Sequence, residues 1–274
     1  MSKKWNIVFV VLITSLLVLS GTNGQTLKPL PSEQTWITGG AYRLKTSVFR
    51  SEQISIEPVL IVVLHGDAPF NKPDYHNSFA AKVAATNQDV VAVGLLRPGY
   101  TDPQGNTSDG DRGLTNGDNW NSKNTEAIAK AIGELERRYH SRKVVVAGHS
   151  GGAAITANIL GRYPELIDAA LLVSCPCDVE KWRQSMFQLT NQPVFQGKID
   201  TLSPIEQIKG ISDQVNIIMM VGSQDKVTPP SLSESYQAMV EKLGKKIRLV
   251  RLEGKEHEIF LDPAVFAEFV TLLK

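Results

Sequence analysis

Cysteine is almost missing from this chain: two of 274 residues, Cys175 and Cys177, sit one residue apart in SCPCD. A pair so close cannot staple distant segments, so the fold must hold through its own core, and the spacing offers too few ligands for zinc. The two are free thiols or a local bridge. Missing too is an excess of either charge. Lys and Arg number 29 against 28 Asp and Glu, for a net charge of +1. With no clustered basic stretch, nucleic acid is not an expected partner. No apolar run reaches the ~20 residues that span a bilayer, and no repeat or low-complexity tract interrupts the chain.

What is present begins with an export pattern. Lys3 and Lys4 precede the apolar run IVFVVLITSLLVL, Ile7 to Leu19, and small residues follow at Ser20, Gly21, Thr22 and Gly24. That is the layout of a secretory signal peptide over residues 1–24, leaving a mature chain of 25–274 as one domain. The protein is then periplasmic or secreted, with no stable membrane span after cleavage; an uncleaved segment would instead leave it membrane-anchored. TLKPLPSEQTW, with two prolines and no period, reads as a linker.

Apolar runs recur downstream: PVLIVVLHGD, DVVAVGLL, KVVVAG, AALLVS and VNIIMMVG, with a more mixed IRLVRLEG and an alternating AYRLKTSVF that suggests a half-exposed edge strand. Continuous rather than alternating hydrophobicity means that both faces of each strand are covered, as in a mostly parallel sheet. Helical patterns lie between them at about 77–86, 122–139, 151–162, 231–243 and 263–273. Alternating strand and helix predict a doubly wound α/β domain, whose ligands bind at the carboxyl ends of the strands. Two segments break the alternation and should overhang that end. One is the polar loop 101–120; the other is 176–212, a short insertion after the sixth strand, AALLVS, which carries Trp182, Met186, Phe187 and Phe195.

The strand ends carry the chemistry. Ser150 follows KVVVAG directly and opens AAITANILGRY, in the strand–turn–helix context that G-x-S-x-G requires of a nucleophile. Small residues at 148, 151 and 152 give the turn room, and the N–H of Gly151 is placed to hold an oxyanion. A second donor is expected from LHGDAPF, at the N–H of Asp67 or of Ala68, with His65 holding that loop. A serine needs a base, which in practice is histidine. His149 sits in the tight turn and should point elsewhere, His140 ends a polar helix and His76 falls in a polar loop. His257, in LEGKEHEIF past the last strand, is the candidate base. Asp225, in VGSQDKVTPP, is the carboxylate to orient it, with Asp178 the runner-up.

LHGD, LLRPGY, AGHSGGA, VGSQDKVTPP and LEGKEHEIF together resemble the α/β-hydrolase superfamily over nearly the whole mature chain. The stretch from SPIEQIKG through GKEHEIF is most similar to the catalytic domain of the prolyl oligopeptidase family and its small esterase relatives. The resemblance implies an α/β-hydrolase fold, Ser150 as nucleophile, Asp225 as acid and His257 as base, and no metal or organic cofactor. Two departures stand out: Ile259 replaces a frequent aromatic residue, and the chain has no room for the large propeller that restricts full oligopeptidases to short peptides.

The expected protein is an exported serine hydrolase that cleaves small carboxylic esters through an acyl-enzyme on Ser150. The alternatives are a peptidase of prolyl oligopeptidase type acting on short peptides, a perhydrolase-like activity of the same triad, and a hydrolase fold retained only for binding.

Overall fold

The computed structural model describes residues 33–68 and 71–274; the expected signal peptide lies outside them. The strands are β1 (Glu33–Gly39), β2 (Tyr42–Arg50), β3 (Val59–Leu64), β4 (Val90–Leu95), β5 (Lys143–His149), β6 (Ala169–Val173), β7 (Asn216–Gly222) and β8 (Ile247–Leu252). They form one sheet in the order β1-β2-β4-β3-β5-β6-β7-β8. The pairs β1–β2 and β2–β4 are antiparallel, and every pair from β4–β3 to β7–β8 is parallel.

The helices are α1 (Tyr75–Thr86), α2 (Ser122–Tyr139), α3 (Gly151–Arg162), α4 (Val179–Thr190), α5 (Pro204–Gln207), α6 (Pro230–Lys242) and α7 (Pro263–Thr271). They cover both faces of the sheet, which accounts for the unbroken apolar strands. In β3, Leu60, Val62 and Leu64 pack into the core shared with α2, α3 and α6. Val59, Ile61 and Val63 enter the opposite core with α1 and α7. Each such side chain contributes about 1.5–3 kcal/mol by leaving water. In α2, Ala127, Ile128, Ala131, Ile132 and Leu135 line one buried stripe, and Asn121 caps the helix by accepting the N–H of Asn124.

Two expectations change. The end of the supposed linker, from Glu33, is strand β1, and β2 is therefore not an edge but lies between β1 and β4. In β1 only Ile37 and Gly39 are fully buried, so the segment carries almost no apolar signal and follows two prolines. Its pairing with β2, including Ile37 opposite Leu44, is what makes it a strand.

The chain order reverses at β3, which has β4 on one side and β5 on the other. That crevice at the carboxyl ends of β3 and β5 is where a doubly wound sheet offers a ligand site. The loop 65–68 leaves β3 there, and Ser150 leaves β5. The insertion after β6 holds α4, a 3₁₀ turn at Pro193–Phe195 and α5. No helix of the described residues is long and apolar enough to cross a membrane.

Candidate active site

Ser150 takes φ 51° and ψ −118°, a conformation that non-glycine residues rarely adopt and that is kept only where the surroundings enforce it. Two backbone bonds do so: the Ser150 N–H donates to the Val173 carbonyl of β6 (2.8 Å), and its carbonyl accepts the Ala154 N–H (3.0 Å), starting α3. The neighbouring glycines are forced by crowding. A Cβ on Gly151 would collide with Asp67 Oδ1 and Trp120 Nε1, and one on Gly152 with the carbonyls of Leu64 and His65.

Ser150, His257 and Asp225 come together although they lie far apart in sequence. His257 Nε2 is 3.1 Å from Ser150 Oγ, and His257 Nδ1 is 2.9 Å from Asp225 Oδ2. The Asp225 side chain is wholly buried, whereas that of His257 keeps 13% of its surface open. Asp225 also accepts the N–H groups of Val227 (2.9 Å) and Thr228 (2.8 Å) and the Thr228 hydroxyl (2.6 Å). Burial opposes its charge, but the bonds from His257 and Thr228 outweigh that and hold the carboxyl below the usual carboxylate range. The runner-up, Asp178, caps α4 by accepting the Lys181 N–H and pairs with Lys181 at 3.1 Å; it makes no bond to His257.

The loop after β3 faces Ser150. Of its N–H groups, that of Gly66 donates to the Tyr75 hydroxyl. Among the described residues the N–H groups of Asp67 and Gly151 have no acceptor. The loop is held from beneath by the Asp67 side chain, which accepts from Arg97 Nη2 (2.8 Å), Trp120 Nε1 (3.0 Å) and the Gly117 N–H (2.9 Å). Arg97 is fully buried and also donates to the His65 carbonyl and Asn119 Oδ1. His65 belongs to the same frame, accepting the Arg97 N–H at Nε2. The cavity above, ≈ 360 Å³, is lined by Gly66, Asp67, Tyr75, Ser150, His257 and Glu258, among others.

The pattern of the prolyl oligopeptidase family matches residues 102–268, more than half of the chain. The chain belongs to that family. No curated protein matches it in sequence. The acylaminoacyl peptidase of Pyrococcus horikoshii superposes with a TM-score of 0.69 at 15% identity, over 90% of this chain and 41% of the other. A puromycin-hydrolyzing peptidase of Mycobacterium tuberculosis gives 0.69 at 16%, over 89% and 38%. The Pyrococcus furiosus esterase PF2001 gives 0.64 at 13%, over 89% and 90%. The chain thus spans about two fifths of the length of the acylaminoacyl peptidases and nearly all of the esterase. The likeness to these structures is one of fold, an α/β-hydrolase.

This prolyl oligopeptidase relative surrounds its histidine with groups that sequence reasoning passed over. His149 makes no bond to Ser150 Oγ, as expected of it, but packs beside the base. It is buried, its ring lies 5.2 Å from that of His257, and its Nε2 approaches the His257 carbonyl at 3.4 Å. The His257 carbonyl can only accept, so the His149 proton lies on Nε2, and Nδ1 accepts from the Tyr75 hydroxyl (2.9 Å), which itself accepts the Gly66 N–H. Burial, then the nearby His257, depresses the His149 pKa to about 3. The ring therefore stays neutral and does not oppose a charge on His257. The Ser174 hydroxyl (3.0 Å) and the Ile259 N–H (2.9 Å) donate to the same carbonyl. Ser174, with φ 50°, ends β6 directly before Cys175, which is bonded to Cys177 in a buried disulfide. His76 is likewise no loop residue; it lies in α1, fully buried, and its pKa is lowered to about 3 by burial and by Arg97.

Donor atoms of His149, His257 and Glu258 lie within 4.8 Å of one another, the spacing of a metal trio. The imidazole nitrogens are already committed to Tyr75, the His257 carbonyl, Ser150 and Asp225, so a metal there would have to break the site.

Proposed function

We propose that this protein is a serine hydrolase that acts on small carboxylic esters through an acyl-enzyme on Ser150, with His257 as base and Asp225 as its orienting acid. One observation carries the reading: the unbroken chain from Ser150 Oγ through His257 (3.1 Å) to a buried, ionised Asp225 (2.9 Å). As Oγ attacks the carbonyl carbon, His257 Nε2 takes its proton and Asp225 stabilises the resulting imidazolium. Negative charge gathers on the carbonyl oxygen, where the open N–H groups of Gly151 and Asp67 receive it. His257 then returns the proton to the leaving alkoxide. Water, activated by the same nitrogen, releases the acid.

Esters are preferred because an alkoxide leaves with less help than an amine, and His257 is the proton donor hydrogen-bonded to the nucleophile. A second reading, cleavage of short peptides, draws support from Glu258, exposed at the rim of the cavity and able to pair with a terminal ammonium. Matched p-nitrophenyl esters and p-nitroanilides of the same acyl and aminoacyl groups separate the two: faster ester turnover, abolished in Ser150→Ala, is expected. Faster release from the anilides would reverse the preference.

We further propose that residues 1–24 are an export signal and that the mature protein works in the periplasm or outside the cell. Lys3 and Lys4 ahead of Ile7–Leu19 support it. N-terminal sequencing of the exported protein should begin near residue 25; retention of Met1 in a membrane fraction would mean an anchor instead.

A further inference from the structure

Away from Ser150, a groove of ≈ 690 Å³ lies in the insertion after β6, within the range of small-molecule sites. It shares no lining residue with the cavity at the nucleophile. Its apolar lining includes Phe187, Phe195, Ile199 and Ile205, and Arg183 of α4 lies among them. Arg183 is 6% exposed, and no carboxylate of the described residues lies within salt-bridge distance of it, Asp118 acting on it only from further off. Its Nη2 donates to the carbonyls of Val194 (2.7 Å) and Gln196 (3.3 Å), and its guanidinium lies 5.9 Å from the Phe195 ring centre. Nε and Nη1 are buried and have no acceptor among the described residues.

A buried charge normally has a partner, and a buried N–H without an acceptor costs about 1–3 kcal/mol. Neutral carbonyls hold one edge of this guanidinium and leave three N–H bonds, one on Nε and two on Nη1, without an acceptor. We propose that the groove is a second binding site, in which the carboxylate of an amphipathic acid pairs with Arg183 and its apolar body lies along Phe187, Ile199 and Ile205. A monoanion fits better than a phosphate dianion. The lining carries Asp178, Glu180 and Glu206 against Arg183 and Lys198, so a second negative charge would be repelled. The site is independent of the ester or peptide preference at Ser150.

Calorimetry on the full chain with 4-phenylbutyrate and its neutral amide tests this. The acid should bind saturably and about tenfold or more tighter than the amide, as expected for charge-assisted bonds. Arg183→Gln should erase that difference, and Phe187→Ala should weaken both ligands. Equal binding of acid and amide, an unchanged acid affinity in Arg183→Gln, or no saturable binding would overturn the proposal. Hydrogen exchange keeps the test open if Arg183→Gln does not fold. In the wild type the acid should slow exchange in peptides covering 179–206, whereas protection confined to peptides bearing Ser150 or 65–75 would assign the acid to the catalytic cavity and sink the second site.

Discussion

Two polar networks meet at Gly151 and are built by opposite rules. Ser150, His257 and Asp225 form an open line that ends at a cavity and has one partly exposed ring. Asp67, Arg97, Asn119 and Trp120 form a cluster beneath it that is closed but for Arg97 Nε, with both Asp67 oxygens occupied and the carboxylate meeting a fully buried guanidinium. The open line can move a proton because its serine end has no second partner to satisfy. The closed cluster fixes backbone, holding the Asp67 N–H opposite the elbow. Chemistry and rigidity are thus divided between two sets of side chains a few ångströms apart, and Gly151 lacks a side chain because the second set occupies its space.

Breaking the open line should give the largest effect. Ser150→Ala or His257→Ala should lower kcat by about 10⁴- to 10⁶-fold with little change in melting temperature, measured on an activated ester. Breaking the closed cluster should act on stability first: Arg97→Met strands the Asp67 charge and should cost about 3–5 kcal/mol in urea unfolding. A variant of Arg97 that kept full stability would remove the contrast.

Acid sharpens the same division. His65, His76 and His149 are buried, and burial, followed by neighbouring His or Arg charge, lowers all three pKa values, to about 3 for the latter two. An unfolded chain takes up these protons near pH 6.5 and the folded one does not, so stability is full above that pH. It should fall as pH drops from ~6.5 toward ~3, by up to about 1.4 kcal/mol per pH unit for each histidine. Urea midpoints at pH 7, 6 and 5 check the sign; a flat series would contradict the neutral buried state.

Smaller effects separate the supports of the open line. Thr228→Val removes a charge-assisted donor from Asp225 and should lower kcat about tenfold while raising the acid's pKa, visible as a shifted acid limb of the rate profile. His149→Gln should lower kcat about fivefold, since it loosens the His257 carbonyl and the Tyr75 hydroxyl that holds the Gly66 N–H.

Much of this arrangement was legible in the sequence for a physical reason. Strands buried on both faces must be apolar throughout, so β3 to β7 announce themselves, and a doubly wound sheet delivers its chemistry at the residues that follow them. Ser150, Asp225 and His257 each occupy such a position. β1 was illegible because only Ile37 and Gly39 are fully buried and its identity as a strand depends on β2. The Asp67–Arg97–Trp120 cluster was hidden for a similar reason: its members are 30 and 53 residues apart, and nothing local marks them as partners. That His149 packs beside His257 was hidden because backbone strain at the elbow says nothing of where the preceding ring packs; Tyr75, in α1, decides that.

The central claim is that Ser150 is a nucleophile activated by His257. Labelling the purified protein with a fluorophosphonate probe and locating the adduct by peptide mass spectrometry tests it most directly. The account predicts one adduct, on Ser150, lost in Ser150→Ala and strongly slowed in His257→Ala. A folded wild-type protein that takes no label, or takes it elsewhere, would reduce AGHSGGA to a strand-to-helix turn and contradict the account.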